Sequence, residues 1–246
     1  MLRQKSRQRL EKNERQEQKQ LIFRIFSRKI KDTERFIGFI ITYNNMNNKS
    51  VIKILIGIIA GIALNIIPMY LVQYVLNLPF FMDTLGSITV AFIFGAIPGI
   101  ICATLSQLLM FFVEHYSSAV ILLYVLTVYA AIGIVCSFRK SLNESESVLS
   151  TVCILVVISI LTVLAVSITG GIVNAICVYV QEITGAPVQE NAATSYFQFD
   201  LFKMGLSSIP TYIFSRIPGN LIERPVITLL AFGIGVGVQK VLILRR

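Results

Sequence analysis

Apolar residues in this chain fall in long uninterrupted runs, without the strict alternation of a half-buried strand. The first run covers about residues 51–76, with Lys53 as its only charge. At about 1.5 Å per helical residue it is long enough for a ~30 Å hydrocarbon core. The second, residues 84–113, carries no charge at all. As one helix it would measure roughly 45 Å, too long for a single straight crossing. Gly95-Ala96-Ile97-Pro98-Gly99 interrupts it, because proline removes a backbone donor and glycine weakens a helix. Two short helices, about 84–95 and 98–113, are therefore expected. Broken helices at membrane depth usually line a cavity, since lipid cannot satisfy the backbone groups they free.

A clean span follows at 118–138, closed by Arg139 and Lys140, and 141–146 reads as a polar loop. Residues 147–181 are uncharged and exceed one straight span, which predicts either a bend near Gly170-Gly171 or a helix that leaves the membrane. An acidic, turn-rich loop is expected at 182–198. A short surface or re-entrant helix, holding Asp200 and Lys203, is expected at 199–215. The last span is expected at about 221–243. The pattern predicts an all-α fold: a polytopic membrane helical bundle of about six transmembrane helices with a broken second hydrophobic run.

Composition strengthens that picture. Hydrophobic residues make up 55% and charged residues 14%, where a soluble domain carries about 25% charge. Charge also divides the chain into two parts. Residues 1–50 hold 13 of the 22 Lys+Arg and 5 of the 13 Asp+Glu, a net +8, and the other 196 residues net only +1. Residues 1–50 read as a basic cytoplasmic tail, with a possible amphipathic helix at 21–42 lying on the anionic membrane surface. Met46 opens a second plausible start, so an over-extended gene start competes with the tail reading. No nucleic-acid motif accompanies the charge, so nucleic acid is not the expected partner. With Arg139, Lys140, Lys240, Arg245 and Arg246 placed inside, the positive-inside rule gives six crossings and a cytoplasmic N-terminus. The abundance of Ile, Asn and Lys suggests a bacterial source, hence the inner membrane.

Chemistry is sparse. Cys102, Cys136, Cys153 and Cys177 lie inside apolar runs without metal-ligand or disulfide spacing and read as small buried hydrophobes. No phosphate-cradling loop, HExxH or GxSxG motif occurs. The lone histidine, His115, reads as an interfacial polar residue beside Glu114. A binder or passage subunit is expected rather than an enzyme, with no cofactor. A sensory or scaffold membrane domain working in trans is the competing class.

A few polar residues stand out against this background. Asp83 follows a loop and precedes the second run, where it either caps the next helix or offers a carboxylate to a ligand. Gln107 and Asn174 are amides in apolar runs. Unpaired in lipid they are costly, so they should face the protein interior, for helix–helix hydrogen bonding or ligand contact. Asn220, Glu223 and Arg224 belong to the densest polar cluster near a span, Arg216 to Pro225. The Asn220–Glu223 spacing resembles a capping box, although a start nearer Pro225 competes. The cluster's arginines either form structural ion pairs with Glu223 or Asp83, or meet an anionic ligand group. Gly57, Ala60 and Gly61 form a small-residue motif on the first span, suited equally to internal packing or a partner helix.

The run Leu78-Pro79-Phe80-Phe81-Met82-Asp83-Thr84-Leu85-Gly86-Ser87, then Phe94-Gly95-Ala96-Ile97-Pro98-Gly99 and Ser106-Gln107-Leu108-Leu109, resembles the substrate-binding S components of energy-coupling factor transporters. It is similar to the branch with the pattern LPxxxDTxGT…GPxxGxxxGxxxN, with Ser87 in place of Thr and Ile97-Pro98 altering the GP step. Residues 217–225 are similar to the start of that family's last helix, without its usual Asp-Lys. The resemblance implies a six-helix membrane binder of a vitamin-like micronutrient, acting with a membrane coupling subunit and cytoplasmic ATPases. It implies partner contact at Gly57, Ala60 and Gly61. Solute would be bound near the outer face, with Asp83, Asn174, Asn220, Glu223 and Arg224 as candidates.

Overall fold

The computed structural model describes residues 48–76, 78, 80–113, 119–185 and 192–244. The chain divides into two compact units, Met1–Ile52 and Lys53–Arg246. Residues 1–47 of the expected tail, with its amphipathic helix at 21–42, and Glu114 and His115 lie outside the described residues. Among the described residues there are helices and no strands. They are α1 Asn48–Tyr70, continued by a π-helical turn at Leu71–Val75; α2 Leu85–Phe94; α3 Ala96–Val113; a 3₁₀ turn Ala119–Tyr124 leading into α4 Val125–Asn143; α5 Val148–Thr184; α6 Ala192–Lys203; α7 Ser208–Phe214; and α8 Ile217–Leu244.

Four stretches are long and apolar enough to cross a membrane: Ser50–Val75, Ala119–Asn143, Val148–Thr184 and Ser208–Lys240. Helices α2 and α3 are the shorter apolar pair between them. The second hydrophobic run is thus split as expected, but the break is Gly95 alone, at φ +101°. Ala96 already starts the next helix, so Pro98 falls in its first turn, where the missing N–H has no helical partner to lose. Large apolar side chains cover the outside: Ile52, Leu55 and Ile59 on α1, and Val156, Ile160 and Leu164 on α5. Such a surface is at home in lipid.

At the centre lies α2. Every residue from Leu85 to Phe92 is buried. It packs on α3, α4 and α8, and the core joins its Leu85, Ile88 and Ala91 to Ala131, Ile132 and Val135 of α4, Ile158 of α5, and Ile227 and Ala231 of α8. α1 closes on it through Gly61 and Gly86. A side chain on Gly86 would collide with the Gly61 backbone, so the two helices meet backbone to backbone.

α5 runs unbroken for 37 residues, capped by the Ser147 hydroxyl accepting from the Ser150 N–H (3.1 Å) and ended by left-handed Gly185. At about 55 Å it outruns a ~30 Å core. The helix is not interrupted at Gly170-Gly171, and its length accords with the other expectation, a helix that leaves the membrane. These glycines make room instead: Gly171 for the α7 backbone at Ile213, and Gly170 for the Arg216 guanidinium. The loop expected over 182–198 is also shorter, because α5 continues to Thr184 and α6 begins at Ala192. The single surface helix expected at 199–215 is two short helices, α6 and α7, separated around Gly205 at φ +84°. The last helix starts at Ile217, so Asn220, Glu223 and Pro225 lie inside α8. The capping-box reading and the later start at Pro225 are both replaced.

Candidate functional site

A short helix in a membrane protein exposes its terminal N–H and C=O groups where no water can serve them. α2 solves this with side chains from its neighbours. At its N-terminus, the Asn65 carbonyl oxygen on α1 accepts from the N–H groups of Gly86 (2.7 Å) and Ser87 (3.1 Å). The Asn65 amide nitrogen donates to the hydroxyls of Ser87 (2.7 Å) and Ser106 (2.8 Å). Asn65 is 2% exposed and tied to both α2 and α3. At the other end, Arg139 on α4 donates from Nη2 to the Ile93 carbonyl (2.6 Å), placing a cation at the negative pole of the helix.

A polar cluster gathers beside the Asn65 end, around the first turns of α8. The Glu223 carboxylate, 3% exposed, accepts from the N–H groups of Phe81 (3.3 Å) and Met82 (3.2 Å). Arg224, 4% exposed, donates to Glu223 (3.1 Å), to the Thr84 hydroxyl (2.7 Å) and to the Asn220 carbonyl oxygen (3.3 Å). Asn220 passes the chain on, donating to the Ser167 hydroxyl of α5 (2.9 Å). The pair therefore latches the segment before α2 onto α8. Within that segment Met82 takes the left-handed conformation, φ +49°, which costs a side-chain-bearing residue roughly 1 kcal/mol or more.

Two members of the region are not satisfied. Asp83 sits in the latched segment, and its Oδ1 is shut off from solvent without a hydrogen-bond partner. Burial pushes its carboxyl up to about 6 from the ordinary 3.8, against the pull of Arg224 and, more weakly, of Arg216. Arg216 lies one residue before α8, near enough to Asp83 to be felt by it. Its guanidinium stacks over the Tyr124 ring at 5.1 Å and donates to the Tyr124 hydroxyl (3.0 Å), which in turn donates to Asn174 of α5 (2.8 Å). The buried Arg216 Nε has no partner. Among the described residues, the ion pairs are Glu223–Arg224 and the exposed Lys140–Glu144, and neither involves Asp83 or Arg216.

Asn220, Glu223 and Arg224 are thus brought together and joined to the Asp83 segment, and Asn174 enters through Tyr124. Gln107 is half-buried, one position past Ser106, and no hydrogen bond among the described residues joins it to the cluster. The helix cap expected of Asp83 is supplied by Asn65 instead, as Thr84 precedes α2 without a side-chain cap and Asp83 Oδ1 is unpartnered. Gly57 and Gly61 face Phe94, Val90 and Cys102 of this same chain, whereas Ala60 is exposed. Asn65, Tyr124 and Ser167 were not singled out in the sequence, Thr84 entered only through the family-like run and Arg139 only as a marker of orientation. Only Asn65 carried a signal there: it is a lone amide in an apolar run, the property that singled out Gln107 and Asn174. Among the described residues no group of three or more His, Cys, Asp or Glu side chains is placed to hold a metal ion.

No protein-family model matches the chain, and neither does any curated protein or solved structure.

Proposed function

We propose that this protein is a membrane-embedded solute-binding subunit of an ATP-driven uptake system, with separate coupling and ATPase subunits. It would lie in the inner membrane of a bacterial cell with its N-terminus cytoplasmic. Among the described residues three buried side-chain atoms lack a hydrogen-bond partner, Arg139 Nε at the far end of α2 and Asp83 Oδ1 and Arg216 Nε near the start of α8. The observation that carries the reading is that the last two belong to opposite charges in one polar region, beside an acid–arginine pair whose every polar atom is partnered. Buried polar groups normally find partners, and one left open in a polar region is a place for a ligand group. The absence of nucleotide-binding motifs from the sequence fits a subunit whose energy comes from another chain. On α1, Ala60 with Ile56 and Ile59 is the face left for a coupling partner, since Gly57 and Gly61 are engaged internally.

Purification from native membranes tests this. The expected result is co-isolation of an ATPase-bearing module and, by native mass spectrometry, a small molecule retained by the protein and lost on Asp83→Asn. Isolation without such a module, and without any retained molecule, would overturn it.

A further inference from the structure

Resting on the solute-binding reading, we propose that the site takes a small zwitterion, its cationic or N–H-donating end held by Asp83 and its anionic end by Arg216. The helix geometry sets the frame. Arg216, Asn220, Glu223 and Arg224 stand at i, i+4, i+7 and i+8, so they share one face at the start of α8. At one end of that stripe, every bond of the Glu223 and Arg224 head groups described above is spent inside the protein. That pair fixes the segment Phe81–Thr84, and each of its side-chain nitrogens and oxygens has a partner within the protein. At the other end, Arg216 is held in place by Tyr124 and by the space above Gly170.

Asp83 and Arg216, both half-buried, carry opposite charge in the same polar region, yet no salt bridge joins them. Each is fixed from a different side: Asp83 by its latched neighbours, Arg216 by its aromatic shelf. They form no contact ion pair, and each has one solvent-shielded atom without a hydrogen-bond partner. Asp83 Oδ1 only accepts when ionised, and Arg216 Nε only donates. The complement of that arrangement is a molecule with a donor, preferably cationic, at one end and an acceptor, preferably anionic, at the other. A simple anion would satisfy Arg216 but be repelled by Asp83, and a simple amine the reverse. Discrimination against both follows, because a mismatched ligand leaves a buried charge unpaired.

The test uses the full-length protein in detergent or nanodiscs. Probes are free α-amino acids and betaines, with short carboxylates and primary amines as single-charge controls, and binding is read by calorimetry and thermal shift. At least one zwitterion is expected to bind about tenfold or more tighter than either control. Asp83→Asn is expected to weaken that zwitterion about tenfold or more and to narrow the gap to the carboxylate control. Arg216→Gln should weaken zwitterion and carboxylate alike. Thermal melting of each variant reports whether it is folded. If native mass spectrometry finds a retained solute that is not zwitterionic and the probes fail, the ligand class is wrong while the solute-binding reading stands. Absence of any retained solute, together with failure of all probes, overturns both.

Discussion

Two acid–arginine sets stand within a few residues of each other. Glu223 and Arg224 face one another at 3.1 Å, and each of their side-chain nitrogens and oxygens has a partner in backbone, neutral side chains or the other member of the pair. Asp83 and Arg216 do not touch, and each keeps a buried atom unsatisfied. The first set behaves as architecture: its charges cancel locally, and it ties the segment before α2 to α8. The second is strained electrostatically, which stability alone does not favour. Proteins tolerate unsatisfied buried groups where function uses them, so on the solute-binding reading proposed above the contrast separates the part that holds the fold from the part that would meet a solute.

The contrast breaks most directly at Arg224. Arg224→Met strands the buried Glu223 carboxylate and should cost about 3–5 kcal/mol, the usual effect of removing one partner from a buried pair. Unfolding followed by circular dichroism in mixed micelles measures it, and a loss below about 1 kcal/mol would put the two sets in the same class.

Asp83→Asn should act in the opposite direction. The Asp83 carboxyl is raised to about 6 in the folded protein from 3.8, chiefly by burial, with Arg224 and Arg216 lowering it and Glu223 raising it. A raised carboxylate contributes stability when protonated and loses that contribution as pH climbs through 6. The wild type should therefore be more stable near pH 4 than at pH 7.5. Asp83→Asn should gain up to about 3 kcal/mol at pH 7.5 and little near pH 4. A stabilising substitution that also loses solute marks Asp83 as functional. An Asn variant less stable than wild type at pH 7.5 would show that the carboxylate already has its partner.

Asn65→Ala sharpens the comparison from the structural side. It opens the N–H groups of Gly86 and Ser87 and should cost about 2 kcal/mol, with faster hydrogen exchange concentrated at those two amides. The smallest effect is expected at Arg216→Gln. It removes the stack on Tyr124 but also a buried unpartnered donor, so the net change in stability should stay within about 1 kcal/mol.

Much of the architecture was legible in the runs of apolar residues, because span length and the lack of charge are properties of local sequence. The split of the second run was visible at Gly95, and the grouping of Asn220, Glu223 and Arg224 followed from their closeness in the chain. What stayed hidden depends on distant parts of the chain meeting. Nothing local says that Asn65 serves a helix beginning twenty residues later, or that Gly170 and Gly171 admit Arg216 and Ile213 within an unbroken helix. Likewise, the small residues Gly57 and Gly61 offer the same pattern whether the approaching surface belongs to this chain or another; here Phe94 and Val90 occupy it.

Arg139 lies 46 positions after the Ile93 carbonyl it serves. During synthesis, α2 thus enters the bilayer with its amino end already provided for by Asn65 and its carboxyl end still bare. The ribosome must deliver α3 and most of α4 before that debt is settled. A chain halted between residues 113 and 139 would lack the guanidinium that the Ile93 carbonyl takes as its donor in the complete fold.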